Sequence, residues 1–127
     1  MNEAPAAGGA QAEFRIEEHS RRVRVVFNGV TVADSTRSRL LHEAGLPPVH
    51  YFPRADVRMD LLKATTFHTT CPFKGEASYW SADIGGASHD GIVWGYETPI
   101  PAAEDIRGYL SFYPDRADIT VDGKPLD

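Results

Sequence analysis

Three side chains near the middle of the chain could act on a substrate: His68, Cys71 and Lys74. A cysteine becomes reactive when a nearby positive charge favours its thiolate, and Lys74 follows Cys71 across a tight turn. His68 lies an odd number of residues before Cys71, so in a regular strand their side chains point to opposite faces. The sequence therefore favours an unreactive, half-buried Cys71 over a Cys–His pair. His68, Cys71 and Lys74 remain the candidate catalytic residues.

Three acidic side chains, Asp34, Glu43 and Asp56, each follow an apolar stretch and could project inward. Two inward carboxylates could perform acid–base chemistry. Such residues more often cap helices or accept backbone hydrogen bonds, and Asp56 is suited to cap a short helix. We expect Glu43 and Asp56 to serve as polar anchors for a ligand.

Aromatic residues crowd into the second half of the chain. Most such residues pack in cores, but tyrosine and tryptophan mixed with polar groups also form pockets for planar or cationic ligands. The sequence predicts an aromatic-walled polar pocket. Its candidate ligand-binding residues are Glu43, Tyr51, Asp56, His68, Lys74, Tyr79, Trp94 and Tyr96.

Composition argues against several partners. The 127 residues carry a formal charge of −5, and the basic residues are scattered, which disfavours nucleic acid. No apolar run is long enough to span a bilayer, so we expect no membrane association. One cysteine and five scattered histidines predict neither a metal site nor a cofactor. A single cysteine also favours a cytoplasmic location, and the oligomeric state is left open.

Asn28-Gly29 predicts the first hairpin, because a type I′ turn needs positive φ at both central residues. A two-residue loop places Phe27 opposite Val30 and Val25 opposite Val32. Asp34 then falls on the apolar face, which is unusual for a charge.

The segment TTFHTTC-PFKG-EASYW predicts a second hairpin with a four-residue loop, Pro72–Gly75. This register pairs Cys71 with Glu76 and His68 with Tyr79, so that His68 and Tyr79 share one face. Trp94 and Tyr96 should lie near them if the next strand pairs alongside. We therefore expect the pocket on the face that carries His68 and Tyr79.

Short strands divided by glycine and proline predict an all-β fold with one or two short helices, paired as an antiparallel meander. One helix is expected between Tyr51 and Thr65, with Asp56 at its N-cap, and a helical turn at Pro101–Arg107. Residues 1–12 have the composition of a flexible tail, and residues 13–127 that of a single β-rich domain. The further strands are expected at Arg39–Glu43, Pro48–Phe52, Thr65–Cys71, Glu76–Ala82, Gly91–Glu97, Gly108–Tyr113 and Ala117–Val121.

Several motifs together resemble one known family: GVTVADS, VHYFPRADV, LLKAT, TTCPFKGEASYW, IVWGYETP and GYLSFYP. Spread over about Val23 to Val121, they resemble the domain of unknown function 427 family. The resemblance implies a β-tent-like domain of two antiparallel sheets, similar to B-type methionine sulfoxide reductases and to the ligand-binding domain of cereblon. The paired CxxC motifs that hold zinc in those relatives are absent from this sequence. An aromatic cage for a small cyclic ligand matches this chain, whereas the reductase cysteine would here lack a resolving partner.

Three functions follow from these observations. The first is a small-molecule-binding β domain with an aromatic-walled polar pocket, either with or without enzymatic activity. The second is an enzyme of redox or transferase type that uses Cys71 or Lys74 as its reactive group. The third is a protein-interaction module with an exposed aromatic patch.

Overall fold

The computed structural model describes residues 14–72 and 74–126 and is all-β, as predicted. Short 3₁₀ helices at Arg54–Asp56, Met59–Leu61 and Pro101–Ile106 interrupt its strands. The strands are β1 (Phe14–Glu18), β2 (Val23–Phe27), β3 (Val30–Ser35), β4 (Arg39–Glu43), β5 (Val49–Tyr51), β6 (Leu62–Cys71), β7 (Gly75–Ile84), β8 (Ala87–Gly95), β9 (Leu110–Phe112), β10 (Asp118–Val121) and β11 (Lys124–Pro125). The tail predicted at residues 1–12 lies outside the described residues.

The strands form three antiparallel sheets in the described part of the chain, where the resemblance implied two. Their strand orders are β1-β4-β5, β11-β10-β2-β3 and β6-β7-β8-β9. The third sheet is the predicted meander. Each of the other two sheets contains a pair of strands that are distant in sequence: β1 pairs with β4, and β10 pairs with β2.

The first hairpin has the predicted turn but a shifted register. Asn28 and Gly29 adopt φ values of 50° and 78°, and Phe27 pairs with Val30. A bulge then inserts one extra residue into β3, so Val25 pairs with Ala33 rather than with Val32. The bulge also turns the side chain of Asp34 away from the core. Its carboxylate forms an ion pair of 2.7 Å with Arg22 at the surface. The predicted inward position of Asp34 was therefore wrong.

The register predicted for the second hairpin was also wrong. Cys71 pairs with Gly75 and His68 with Ser78, which leaves a three-residue loop instead of four. Gly75 has a φ of 116°, and a Cβ there would lie 3.1 Å from the backbone of Pro99. Gly75 allows β7 to begin directly after the loop. Because the register is shifted by one residue, each side chain of β6 lies on the opposite face, relative to the side chains of β7, from the face predicted.

The helix predicted between Tyr51 and Thr65 is replaced by two single 3₁₀ turns, and Leu62–Ala64 already belong to β6. Pro53, rather than Asp56, stands at the N-cap of the first turn. The carboxylate of Asp56 instead accepts hydrogen bonds from Ser35 and Arg37. Pairing of Leu62–Ala64 with β7 provides the backbone hydrogen bonds that a helix would otherwise provide.

Two hydrophobic cores lie against the third sheet. Tyr79 belongs to one core and its neighbour Trp80 to the other, and successive strand residues point to opposite faces. One core joins Trp80 and Val93 to the valines of β2. The other, which we call the tyrosine core, contains Leu41, Tyr51, Cys71, Ala77, Tyr79, Trp94, Tyr96, Ala103 and Ile106.

Candidate functional site

Four of the predicted pocket residues, Tyr51, Tyr79, Trp94 and Tyr96, meet in the tyrosine core. Tyr79 pairs directly with Trp94 across β7 and β8. The indole Nε1 of Trp94 donates a hydrogen bond of 3.2 Å to the hydroxyl of Tyr51, and the two rings pack edge to face. All four side chains are almost fully buried. The structure thus brings these aromatics together as packed interior, and Tyr79 also borders the open concavity described below.

Lys74 and Glu43 form an ion pair of 2.8 Å, and their side chains are only 1% and 4% exposed. The ammonium also lies 5.7 Å from the centre of the Phe14 ring. Glu43 Oε2 and the Tyr96 hydroxyl are both buried and have no hydrogen-bond partner among the described residues. A buried ion pair needs close geometry to offset the free energy lost when its charges are desolvated. The contact of 2.8 Å has this geometry, and it connects the loop before β7 to the end of β4.

Tyr51 and Tyr96 keep their phenolic protons at neutral pH. Burial raises the pKa of Tyr51 well above its usual range, and the nearby negative charge of Glu43 raises it further against the opposing hydrogen bond from Trp94. Burial likewise raises the pKa of Tyr96, with a smaller contribution from Tyr51. Phenols in this environment can donate hydrogen bonds at neutral pH but do not supply a phenolate.

The side chain of Cys71 is buried in the tyrosine core and points away from His68, which is exposed on the opposite face of β6. Lys74 directs its ammonium to Glu43, while its backbone N–H bonds to the carbonyl of Cys71. Among the described residues, Cys71 and His68 therefore do not form a catalytic pair.

His68 and Asp56 lie apart from the aromatic group. His68 shares a hydrogen bond of 3.3 Å with Ser78, and Tyr79 instead bonds to Thr69 at 2.9 Å. The prediction that His68 and Tyr79 share a face was therefore wrong, because the hairpin loop is one residue shorter than expected. Asp56 pairs with Arg37 at 3.1 Å, and this contact and the Ser35 hydrogen bond lower the pKa of Asp56 against the opposing effect of burial.

An open concavity of about 450 Å³, which we call the aromatic cleft, lies over β6, β7 and β8. Phe67 is 54% exposed and packs on Tyr79 with ring centres 5.0 Å apart. The residues that line the cleft are Thr65, Thr66, Phe67, Tyr79, Asp90, Gly91, Tyr113, Asp115 and Arg116. Of the residues predicted from the sequence, Tyr79 is in this set.

Two β-bulges build the aromatic cleft. Between the pairs Ala64–Trp80 and His68–Ser78, the three residues 65–67 of β6 face Tyr79 alone. Between Trp80–Val93 and Ala82–His89, the three residues 90–92 of β8 face Ser81 alone. Bulges redirect side chains and are frequent beside active sites. Here both bulges contribute walls of the same cleft.

Side-chain hydrogen bonds hold the bulges in shape. The Thr65 hydroxyl donates to the carbonyl of Tyr79 at 2.9 Å and accepts from the backbone N–H of Phe67 at 3.2 Å. Ser81 donates to the carboxylate of Asp90 at 3.3 Å, on the opposite side. The two Thr65 bonds satisfy backbone groups of Tyr79 and Phe67 at the bulge in β6.

Tyr113 connects the cleft to the tyrosine core. Its ring packs on Trp94 with centres 4.5 Å apart, and it also lines the cleft. Burial raises the pKa of Tyr113, and the adjacent Tyr79 raises it further. A ligand in the cleft would therefore lie beside the rings of Tyr79 and Tyr113, which are fixed from behind by the interior.

The sequence matches the family model described as a domain of unknown function (DUF427) over residues 15–123. This chain belongs to the DUF427 family. Among the curated proteins, no match was found.

In this DUF427 chain, the wall residues that sequence reasoning missed are Thr65, Thr66, Phe67, Asp90, Gly91, Tyr113, Asp115 and Arg116. One sequence signal pointed to them. Gly91 stands inside a strand pattern, where glycine often marks a bulge, and its φ is 63°. The bulge in β6 has no comparable signal, since Thr65-Thr66-Phe67 is an ordinary strand sequence.

Within residues 14–72 and 74–126, no group of three or more His, Cys, Asp or Glu side chains is arranged to hold a metal ion. Over the same residues, no helix has the length and apolar character needed to cross a membrane.

Proposed function

We propose that this domain binds a small planar molecule, neutral or cationic, in the aromatic cleft. The observation that carries the proposal is the half-exposed Phe67, which packs at a tilted angle on Tyr79 and lines a concavity of about 450 Å³. A large aromatic side chain left open to water costs free energy that a ligand would recover. The volume falls in the range typical of small-molecule sites.

The charge of the lining supports a neutral or cationic ligand over an anion. Asp90 and Asp115 contribute two negative charges against the single positive charge of Arg116. Aromatic faces attract cations through the negative potential of the ring. The hydroxyl of Thr66 adds a hydrogen-bonding group that would orient a polar substituent.

Three probes of similar size and different charge test the proposal: benzylamine, benzamide and benzoate. Titrations followed by backbone ¹⁵N–¹H chemical shifts at residues 65–67 and 90–91 should show that benzylamine and benzamide bind the aromatic cleft more tightly than benzoate does. Phe67→Ala should weaken benzylamine binding several-fold because it removes one of the three aromatic side chains that line the cleft.

Leu46→Ala is the matched control, since Leu46 is also an exposed apolar residue but does not line the cleft. It should leave the affinity for benzylamine unchanged. Absence of shifts at residues 65–67 with all three probes, or equal effects of the two substitutions, would contradict the proposal.

An enzyme that uses Cys71 or Lys74 is a second proposal. Its support is the buried Lys74–Glu43 pair, whose carboxylate interacts with the same tyrosines that pack around Cys71. Thiol labelling at neutral pH distinguishes the two proposals: rapid alkylation of Cys71 in the folded protein would favour the enzyme, and alkylation only on unfolding would count against a reactive thiol. The single cysteine supports a cytoplasmic location for either function.

A protein-interaction module would use Phe67 and its surroundings as a flat patch. The concave shape of the aromatic cleft supports a small ligand instead. Loss of a protein partner in Phe67→Ala, without any change in probe binding, would favour the interaction module.

A further inference from the structure

A second concavity, which we call the basic cleft, lies where the β1–β2 connection meets the β3–β4 connection. It has a volume of about 530 Å³, and its lining includes Glu18, His19, Arg37, Ser38, Arg39 and Tyr109. Two guanidinium groups and one carboxylate thus line the cleft, and Asp56, which does not line it, pairs with Arg37.

Arg39 retains most of its hydrogen-bonding capacity. Its guanidinium lies over the Tyr109 ring, 5.0 Å from the ring centre, and Nη1 donates to the backbone carbonyl of Asp105. A guanidinium has five N–H donors, and among the described residues only this one hydrogen bond uses them. Stacking on Tyr109 holds the group in place without neutralising its charge.

Arg37 contributes a second, partly engaged guanidinium. Its Nε and Nη2 donate to Asp56 at 3.4 and 3.1 Å, and Nη1 makes no hydrogen bond with the described residues. The side chain is 63% exposed, so water screens its pairing with Asp56. An oxyanion in the cleft would find donors on both arginines.

The side of the cleft formed by His19 is held in position from behind. The Ser38 hydroxyl lies 3.5 Å from Nδ1 of His19 and 3.2 Å from Nδ1 of His50. The rings of His19 and His50 pack edge to face with centres 4.8 Å apart. Burial lowers the pKa of His50 to about 4, with help from His19 and His42, so His50 is a neutral support at physiological pH.

We propose that the basic cleft binds a small molecule that carries a phosphate or carboxylate group beside a planar ring. The oxyanion would lie between Arg37 and Arg39, where Arg39 offers Nε and Nη2 as forked donors and Arg37 offers Nη1. The planar ring would pack against Tyr109 or His19. The cleft suits one small anion, because the acidic remainder of the molecule repels an extended polyanion such as nucleic acid.

Phenyl phosphate and benzoate test this site in low-salt buffer. Titrations followed by ¹⁵N–¹H chemical shifts should give saturable changes at His19, Ser20 and residues 36–39. Binding of both probes indicates a general oxyanion site, and binding of one alone assigns the site to phosphates or to carboxylates. Arg39→Gln and Arg37→Gln should each lower the affinity about tenfold, the effect expected for loss of a charge-assisted hydrogen bond.

Arg58→Gln is the matched control, because Arg58 is likewise a surface arginine paired with an aspartate but lies outside the cleft. It should change the affinity by less than about twofold if the site is specific. If Arg39→Gln fails to fold, Arg37→Gln alone carries the test. Equal losses in Arg37→Gln and Arg58→Gln, or no saturable shifts with either probe, would overturn the proposal.

Phe67→Ala separates this site from the aromatic cleft. It should leave phenyl phosphate binding unchanged. If it abolishes that binding, the anion lies in the aromatic cleft and the basic-cleft proposal fails. If phenyl phosphate binds normally while benzylamine binds nowhere, the basic cleft stands and the proposed function of the aromatic cleft fails.

Discussion

The Lys74–Glu43 pair is the residue contact from which we expect the largest single effect on stability. Lys74→Met should lower the free energy of unfolding by about 3–5 kcal/mol, because it leaves the Glu43 carboxylate buried without its counter-charge. Denaturant unfolding measures the loss. The double variant Lys74→Met/Glu43→Leu should recover much of it, since no charge then remains inside. Arg58→Met, which breaks an exposed ion pair, should have a much smaller effect, and equal losses in the two single variants would contradict the assignment.

His50 should make folding sensitive to mild acid. Burial lowers its pKa to about 4 in the folded protein, whereas a histidine in an unfolded chain has a pKa of about 6.5. Between these values the unfolded chain takes up a proton that the folded chain refuses. The contribution of neutral His50 is therefore complete above pH 6.5 and is lost progressively as the pH falls towards 4.

Unfolding free energies at pH 7, 5.5 and 4.5 should consequently fall more steeply for the wild type than for His50→Gln. His68→Gln is the control, because it removes an exposed histidine instead of the buried one, and the difference in slope between the two variants isolates the effect of His50. Carboxylates also titrate below pH 5, but they are common to all three proteins. Parallel slopes for wild type and His50→Gln would show that burial does not suppress protonation of His50.

At the scale of elements, two glycines constrain strand connections for different reasons. Gly29 has a φ of 78°, and a Cβ there would meet nothing within 4 Å. Gly29→Val should therefore cost only the backbone strain of positive φ, roughly 1 kcal/mol or more. A thermal melt identical to that of the wild type would mean that the turn can adopt another conformation.

Gly95 does not have positive φ, but a Cβ there would lie 2.5 Å from the carbonyl oxygen of Tyr109 and 2.9 Å from Leu110 Cδ2. Gly95→Ala should destabilise the domain by overpacking, which costs about 1–3 kcal/mol. We expect this loss to exceed that of Gly29→Val, because backbone of the paired β9 must move. The reverse order in denaturant unfolding would contradict the close approach of β8 and β9.

For the whole molecule we expect stability without a metal. The cysteine and histidines of the described residues form no group of three or more ligands, and both cores are apolar or ion-paired. Protein purified without added zinc should contain no stoichiometric metal, and a chelator should leave its melting temperature unchanged. Stoichiometric zinc that is removed together with the fold would overturn this expectation.

Local patterns predicted most of the elements. The Asn28-Gly29 turn, the 3₁₀ segment near Pro101 and most strand positions follow from turn chemistry and alternation, which depend on neighbouring residues alone. The tyrosine core was predicted in part, since Tyr79, Trp94 and Tyr96 do lie together, although the structure packs them as interior. The predicted register of each hairpin was wrong. The alternation of apolar and polar residues reveals neither the bulge in the first hairpin nor the shorter loop in the second.

By itself, the sequence determined the all-β class, the family and the presence of a cluster of aromatic residues in the third sheet. These features depend on residue types and their short-range spacing. Only the tertiary structure decided which side chains lie next to one another at the surface. Bulges opposite Tyr79 and Ser81 open the aromatic cleft, and the meeting of two distant strand connections brings Arg37 and Arg39 beside His19. The physical reason is that side-chain direction in a sheet depends on pairing with another strand. A shift of one residue in that pairing carries His68 out of the predicted pocket and leaves Tyr79 within the cleft.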